Sequence, residues 1–168
     1  MIENHQRLVN RYRRKGILLD TNLLLLLFVG LVNIGWIGQF KRISNQKFTA
    51  AEFSLLEDIV NQSSLLLTTP HILAETSNFI FQDHSENQPL ALLAIAKNLQ
   101  AFKERRPEAK KLVMTEAFAK FGLTDSGILD LPPGKYLVLS VDAELVVALQ
   151  KKKVDAINFN HLRQQAWV

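Results

Sequence analysis

Residues 16–27 read GILLDTNLLLLL, and their order decides the fold. Gly16 starts a short apolar run that stops at an acid, Asp20. Thr21 and Asn22 follow, both of them helix N-cap residue types, and then a run of leucines. The expected reading is strand, turn, helix. Both elements are apolar all round, which suits a strand and a helix that are covered on every side. A strand feeding a helix in this way is the opening of a parallel sheet with right-handed crossovers.

The same stretch has a rival reading. Residues 23–38, LLLLLFVGLVNIGWIG, come after the basic RYRRK at 11–15, as in a signal peptide or a short membrane span. The run has 16 residues and is broken by Asn33, whereas a span needs about 20. Extending it backwards takes in Asp20, Thr21 and Asn22, which are costly in hydrocarbon. No small-residue cleavage pattern is evident. The expectation is no membrane role.

Working outward, the chain has 168 residues, 48% hydrophobic and 21% charged. That is the size and composition of one globular domain. Cysteine is absent, which excludes a disulfide scaffold, a cysteine nucleophile and thiolate-held metal. Any metal must be held by oxygen or imidazole. The net charge of +4 suits a polyanionic partner without proving one.

Residues 41–48 are polar and read as a loop. Thr49 and Glu52 form a capping box at the start of a helix. Residues 65–69 are β-compatible and end at Pro70, which suits the first turn of the next helix. A polar break covers 83–89. Helical patterns follow over 90–104 and 108–121, separated by Pro107. Gly122 to Asp125 reads as a turn, with Thr124 capping a short helix. Residues 136–139 form a strand, a helix runs to about 150, and 154–159 form the last strand. Strands thus alternate with helices four times, which gives an α/β domain with a parallel sheet.

Ligands of open α/β sheets bind outside the carboxyl ends of the strands. Asp20 ends the first strand. Glu75 lies about one and a half turns into the helix after the second. Asp125 opens a helix leading into the third. Asp142 comes two residues after Ser140, which ends the third. Four acids from distant segments can therefore meet at one rim. Such carboxylates repel unless a cation neutralises them. With oxygen donors alone, that cation is Mg²⁺ or Mn²⁺. An acidic rim on a net-basic domain is the arrangement expected of a nuclease.

The segments GILLDTNLLL, TTPHILAETSNF, FGLTDSGIL and YLVLSVDAELV, then VDAINF, occur in that order. Together they resemble the motifs of PIN-domain ribonucleases, a family that includes toxins of the VapC type. The resemblance spans about 15–159. It implies an α/β/α sandwich around a parallel sheet of four to five strands. It also implies Mg²⁺- or Mn²⁺-dependent hydrolysis of RNA and a cytoplasmic location. Asp20, Glu75, Asp125 and Asp142 match the four catalytic, metal-binding acids, and Glu144 an accessory acid. Thr21 or Asn22 matches the small polar residue that orients the first acid. Ser140 supplies the hydroxyl where threonine is commoner. Ser126 and Gly127 stand where alanines are usual. On this division, residues 1–14 are an N-terminal extension, and 15–168 form a single domain carrying a helical insertion at about 84–121.

Each acid also has a plain structural reading. Asp20, Asp125 and Asp142 can cap helices, Glu144 can enrich a first turn, and Glu75 can be a surface residue. His71 shares a helix face with Glu75 and reads chiefly as a first-turn surface residue. The basic residues at 103–111, namely Lys103, Arg105, Arg106, Lys110 and Lys111, are the expected RNA contact. The partners expected are single-stranded or structured RNA and, for a toxin, an antitoxin protein. A homodimer is expected to cover the leucine-rich helix. The alternative function is a non-catalytic RNA- or protein-binding module on the same fold.

Overall fold

A computed structural model describes residues 2–83 and 88–166. Helix α1 (Ile2–Tyr12) precedes strand β1 (Ile17–Leu19). Then come α2 (Thr21–Val32), α3 (Lys41–Asn45), α4 (Ala50–Asn61), β2 (Leu66–Thr68) and α5 (Pro70–Gln82). The chain continues through α6 (Gln88–Asn98), β3 (Phe102–Glu104), α7 (Ala109–Leu112) and α8 (Glu116–Leu129). It closes with β4 (Leu137–Ser140), α9 (Ala143–Lys151), β5 (Ala156–Asn158) and α10 (Phe159–Ala166).

The five strands form one parallel sheet in the order β3-β2-β1-β4-β5. From β1 the chain steps outward to β2 and β3, then returns past β1 to β4 and β5. Right-handed crossovers running in opposite directions put their helices on opposite faces of the sheet. The result is an α/β/α arrangement. The direction of winding reverses between β1 and β4, so the loops leaving those two strands part and leave a crevice at their carboxyl ends.

The core explains why the opening stretch is so apolar. Ile17, Leu18 and Leu19 are buried, and so is every residue of α2 from Leu23 to Gly30. Helix α2 packs against α4, α5 and α6 while resting on β1 and β4. The leucine-rich helix is therefore covered within one chain. Among the described residues no helix is long and apolar enough to cross a membrane.

Helix α1 occupies most of the expected N-terminal extension and belongs to the packed body. Val9 and Tyr12 lie in the core, and the Tyr12 hydroxyl donates to Asp155 at 2.7 Å.

Three segments differ from expectation. Residues 41–48 contain α3, because Phe40 and Ile43, three apart, are both buried and fix one helical turn. The pattern read as helix over 90–104 is α-helical only to Asn98, and 102–104 is the edge strand β3. Phe102 packs there against Phe28, with ring centroids 5.9 Å apart. The expected helical insertion thus contributes a strand to the sheet. Finally, α8 bends at Gly122 (φ +76°), two residues before the expected cap Thr124. Glycine is the residue that takes this φ without a steric penalty. The expected polar break at 83–89 lies largely outside the described residues.

Candidate acidic site at the carboxyl rim

Asp20 is the first residue beyond β1 and is 4% exposed. Its backbone N–H continues the ladder to Leu139 (3.0 Å). Its side chain is the N-cap of α2, accepting from the Leu23 N–H at 2.9 Å through Oδ1. Capping was expected of Thr21 or Asn22; the acid itself performs it. Oδ2 accepts from the Ser140 hydroxyl at 2.5 Å and from the Val141 N–H at 3.0 Å. Both donors belong to the end of β4, so the acid bridges the two strands between which the sheet reverses. Burial pushes the Asp20 carboxyl up, its three donors pull it down, and the nearby charge of Asp142 pushes it up again.

Ser140 is fully buried and its hydroxyl works in both directions. It donates to Asp20 and accepts from the Asp142 N–H at 2.9 Å. Asp142 caps α9, with Oδ1 accepting from Glu144 N–H (2.8 Å) and Leu145 N–H (3.0 Å). The structural reading of Asp142, a helix cap, is thus borne out. On the other side, Thr21 donates its hydroxyl to Glu75 Oε2 at 3.1 Å. Glu75 lies midway along α5, whose start is fixed by Thr69 as N-cap and Pro70 in the first turn.

Asp125 completes the set. It is three residues past the non-helical Gly122, in the first turn of the segment of α8 that starts there; Thr115 caps only the segment before the break. Its carboxyl is pushed up to about 7, first by burial and then by the like charges of Asp20, Glu75 and Asp142. Acids from β1, α5, α8 and the end of β4 thus share one electrostatic neighbourhood. Helix α8 reaches it by close packing: a Cβ on Gly127 would lie 3.2 Å from Pro107 and 3.5 Å from His71 Nδ1. That nitrogen is buried without a hydrogen-bond partner, so His71 is wedged against α8.

The other expected residues sit apart from this group. Glu144 is exposed and pairs with Lys120 at 3.2 Å. Asn22 accepts from Arg42 Nε at 3.0 Å, turned away from the acids that Thr21 serves. Among the described residues, no three acidic or imidazole side chains are gathered tightly enough to form a ready ion cage. Three of the four carboxylates have oxygens engaged by protein donors instead.

The expected RNA-contact cations are divided in role. Lys103 and Lys110 are exposed. Arg106 pairs with Glu104, and Lys111 with Glu108 at 2.9 Å. Arg105 lies over the Tyr136 ring, 5.2 Å from its centroid, and its Nε is buried without a hydrogen-bond partner.

Arg42, expected in a loop, lies in α3, and the Asn160 amide donates to the Val141 carbonyl at 3.1 Å, holding the backbone whose N–H donates to Asp20. Neither residue type carries a local signal. Comparisons with protein-family models, with curated proteins and with solved structures gave no match.

Proposed function

We propose that the protein is a metal-dependent ribonuclease with a PIN-like fold, working in the cytoplasm and hydrolysing RNA phosphodiester bonds with Mg²⁺ or Mn²⁺. Support comes chiefly from one observation: burial, and after it the like charges of Asp20, Glu75 and Asp142, push the Asp125 carboxyl up to about 7. A scaffold gains nothing from such repulsion, whereas a hard divalent cation relieves it. The donor chemistry fits such an ion, since every member offers carboxylate oxygen.

Asp20, Glu75, Asp125 and Asp142 would hold the ion, directly or through water. When bound, it supplies positive charge against the phosphate and favours deprotonation of water. The chain's own residues set the conditions. Ser140, Val141 and Leu23 fix the orientation of Asp20, and Thr21 holds Glu75. Asp125, whose carboxyl is pushed up to about 7, would be held as carboxylate by such an ion. Water attacks phosphorus in line, the bond to the leaving ribose oxygen breaks, and the water's proton reaches that oxygen through solvent.

The absence of a ready three-residue cage among the described residues favours one alternative, a non-catalytic RNA-binding module. Incubating the full chain with a labelled single-stranded RNA separates the two. The nuclease reading expects cleavage in Mn²⁺ or Mg²⁺, none in chelator, and a drop of at least about 100-fold for Asp20→Asn. RNA binding without cleavage in either ion supports the module instead.

A further inference from the structure

A cavity of about 270 Å³, lined by Lys41, Arg42, Asn45, Phe79, Gln82 and Asp83, lies against the second half of α5, past Glu75. We propose that this cavity is a nucleotide subsite for single-stranded RNA, holding the residue next to the one whose phosphate meets the acids. The inference rests on the ribonuclease reading for its substrate class, yet its geometry is independent of the carboxylates.

Position comes first. Phe79 is four residues beyond Glu75 on α5, hence on the same face and about 6 Å further along. Asn22 adjoins Thr21, the donor to Glu75, and accepts from Arg42 Nε at 3.0 Å. One wall, α5, thus also carries Glu75, and Arg42 of the other wall is tied to the start of α2 through Asn22.

Chemistry comes second. The Arg42 guanidinium lies over the Phe79 ring, 4.3 Å from its centroid. Phe79 and Asn22 hold the guanidinium in place, so little freedom is lost when a ligand stacks on its other face. Arg42 is exposed, and a planar guanidinium is a stacking surface for an unpaired base. Asn45 and Gln82 carry amides that donate to and accept from base edges without demanding one base. Lys41 is exposed and offers an ammonium to the backbone phosphate. The single acid of the lining, Asp83, accepts from the Lys41 backbone N–H at 3.1 Å. Two cations thus face one carboxylate that is already engaged.

The test is equilibrium binding of a fluorescent single-stranded RNA to the full chain in chelator across a salt series, so that no cleavage is involved. Arg42→Ala is expected to weaken binding about tenfold through loss of the stacking guanidinium, and to flatten the log–log salt slope through loss of its positive charge. Phe79→Leu is expected to weaken binding several-fold without changing the slope, because it removes the stack and no charge. Inorganic polyphosphate should compete poorly against RNA. Melting curves like the wild type's show that both variants fold. If the wild type binds RNA and both variants bind it equally well, the subsite is refuted, while cleavage in Mn²⁺ still decides the ribonuclease reading. Polyphosphate competing as well as RNA refutes it too, as does a wild type that fails to bind at low salt. Arg42-dependent binding without any cleavage upholds the subsite and sinks the ribonuclease.

Discussion

Asp125 is half-buried beside three other acids, and its carboxyl titrates near 7 in place of 3.8. Its folded-state pKa lies above its unfolded one, so the folded state holds the proton more tightly. Below about pH 4 the group is neutral in both states and costs nothing. Between about 4 and 7 the cost of ionising it grows, reaching up to about 4 kcal/mol above pH 7. Asp125→Asn removes that cost. In chelator, the variant and wild type should melt alike at pH 4, and the variant should melt progressively higher towards pH 8. Parallel curves across that range would show that Asp125 is not in a repelling group. Ser140 carries a second residue-scale prediction. Ser140→Ala strips a buried donor from Asp20 and an acceptor from the Asp142 N–H. A loss of about 2 kcal/mol is expected in urea denaturation at pH 7, with weaker cation binding; an unchanged midpoint would contradict it.

At the scale of elements, α2 is fixed by its contacts on all sides, and Gly30 shows how tight they are. A Cβ there would fall 2.1 Å from Cδ2 of the Phe53 ring of α4. Gly30→Ala should therefore destabilise by about 1–3 kcal/mol through overpacking. Phe53→Leu in the same chain should recover part of that loss, where an additive double variant would argue against direct coupling. Periodicity and punctuation made several elements legible. The capping box at Thr49 and Glu52 forms as its residues require, and Pro70 opens α5. Strand β3 was not legible, because three residues that alternate in exposure carry no pattern that separates them from a helix end. Its existence depends on Phe102 meeting Phe28, a contact between residues far apart in the chain. The cap of α2 was misjudged for a related reason: three candidate cap types stand in a row, and only the ladder to Leu139 decides which one turns inward.

For the molecule as a whole, site and sheet have one cause. Because all strands are parallel and winding reverses between β1 and β4, the residues that follow those strands meet at one rim. Alternation of strands and helices made that convergence legible, so four acids could be named before their positions were known. Composition could not say which polar side chains would turn inward. Thr21 reaches Glu75 while its neighbour Asn22 serves Arg42. Glu144, two residues from Asp142, faces Lys120. Those choices follow from helix phase and from which cation lies nearby, neither of which is written locally.

Asp20, Glu75, Asp125 and Asp142 are proposed to form one coupled site for a divalent cation. Calorimetric titration of Mn²⁺ at pH 7, repeated in buffers of different ionisation enthalpy, tests it most directly. The expected result is saturable binding that releases a fraction of a proton, because Asp125 is partly protonated before the ion arrives. Asp125→Asn should bind at least tenfold more weakly and release none of that fraction. No binding by the wild type, or equal affinity and equal proton release in the variant, would contradict the claim.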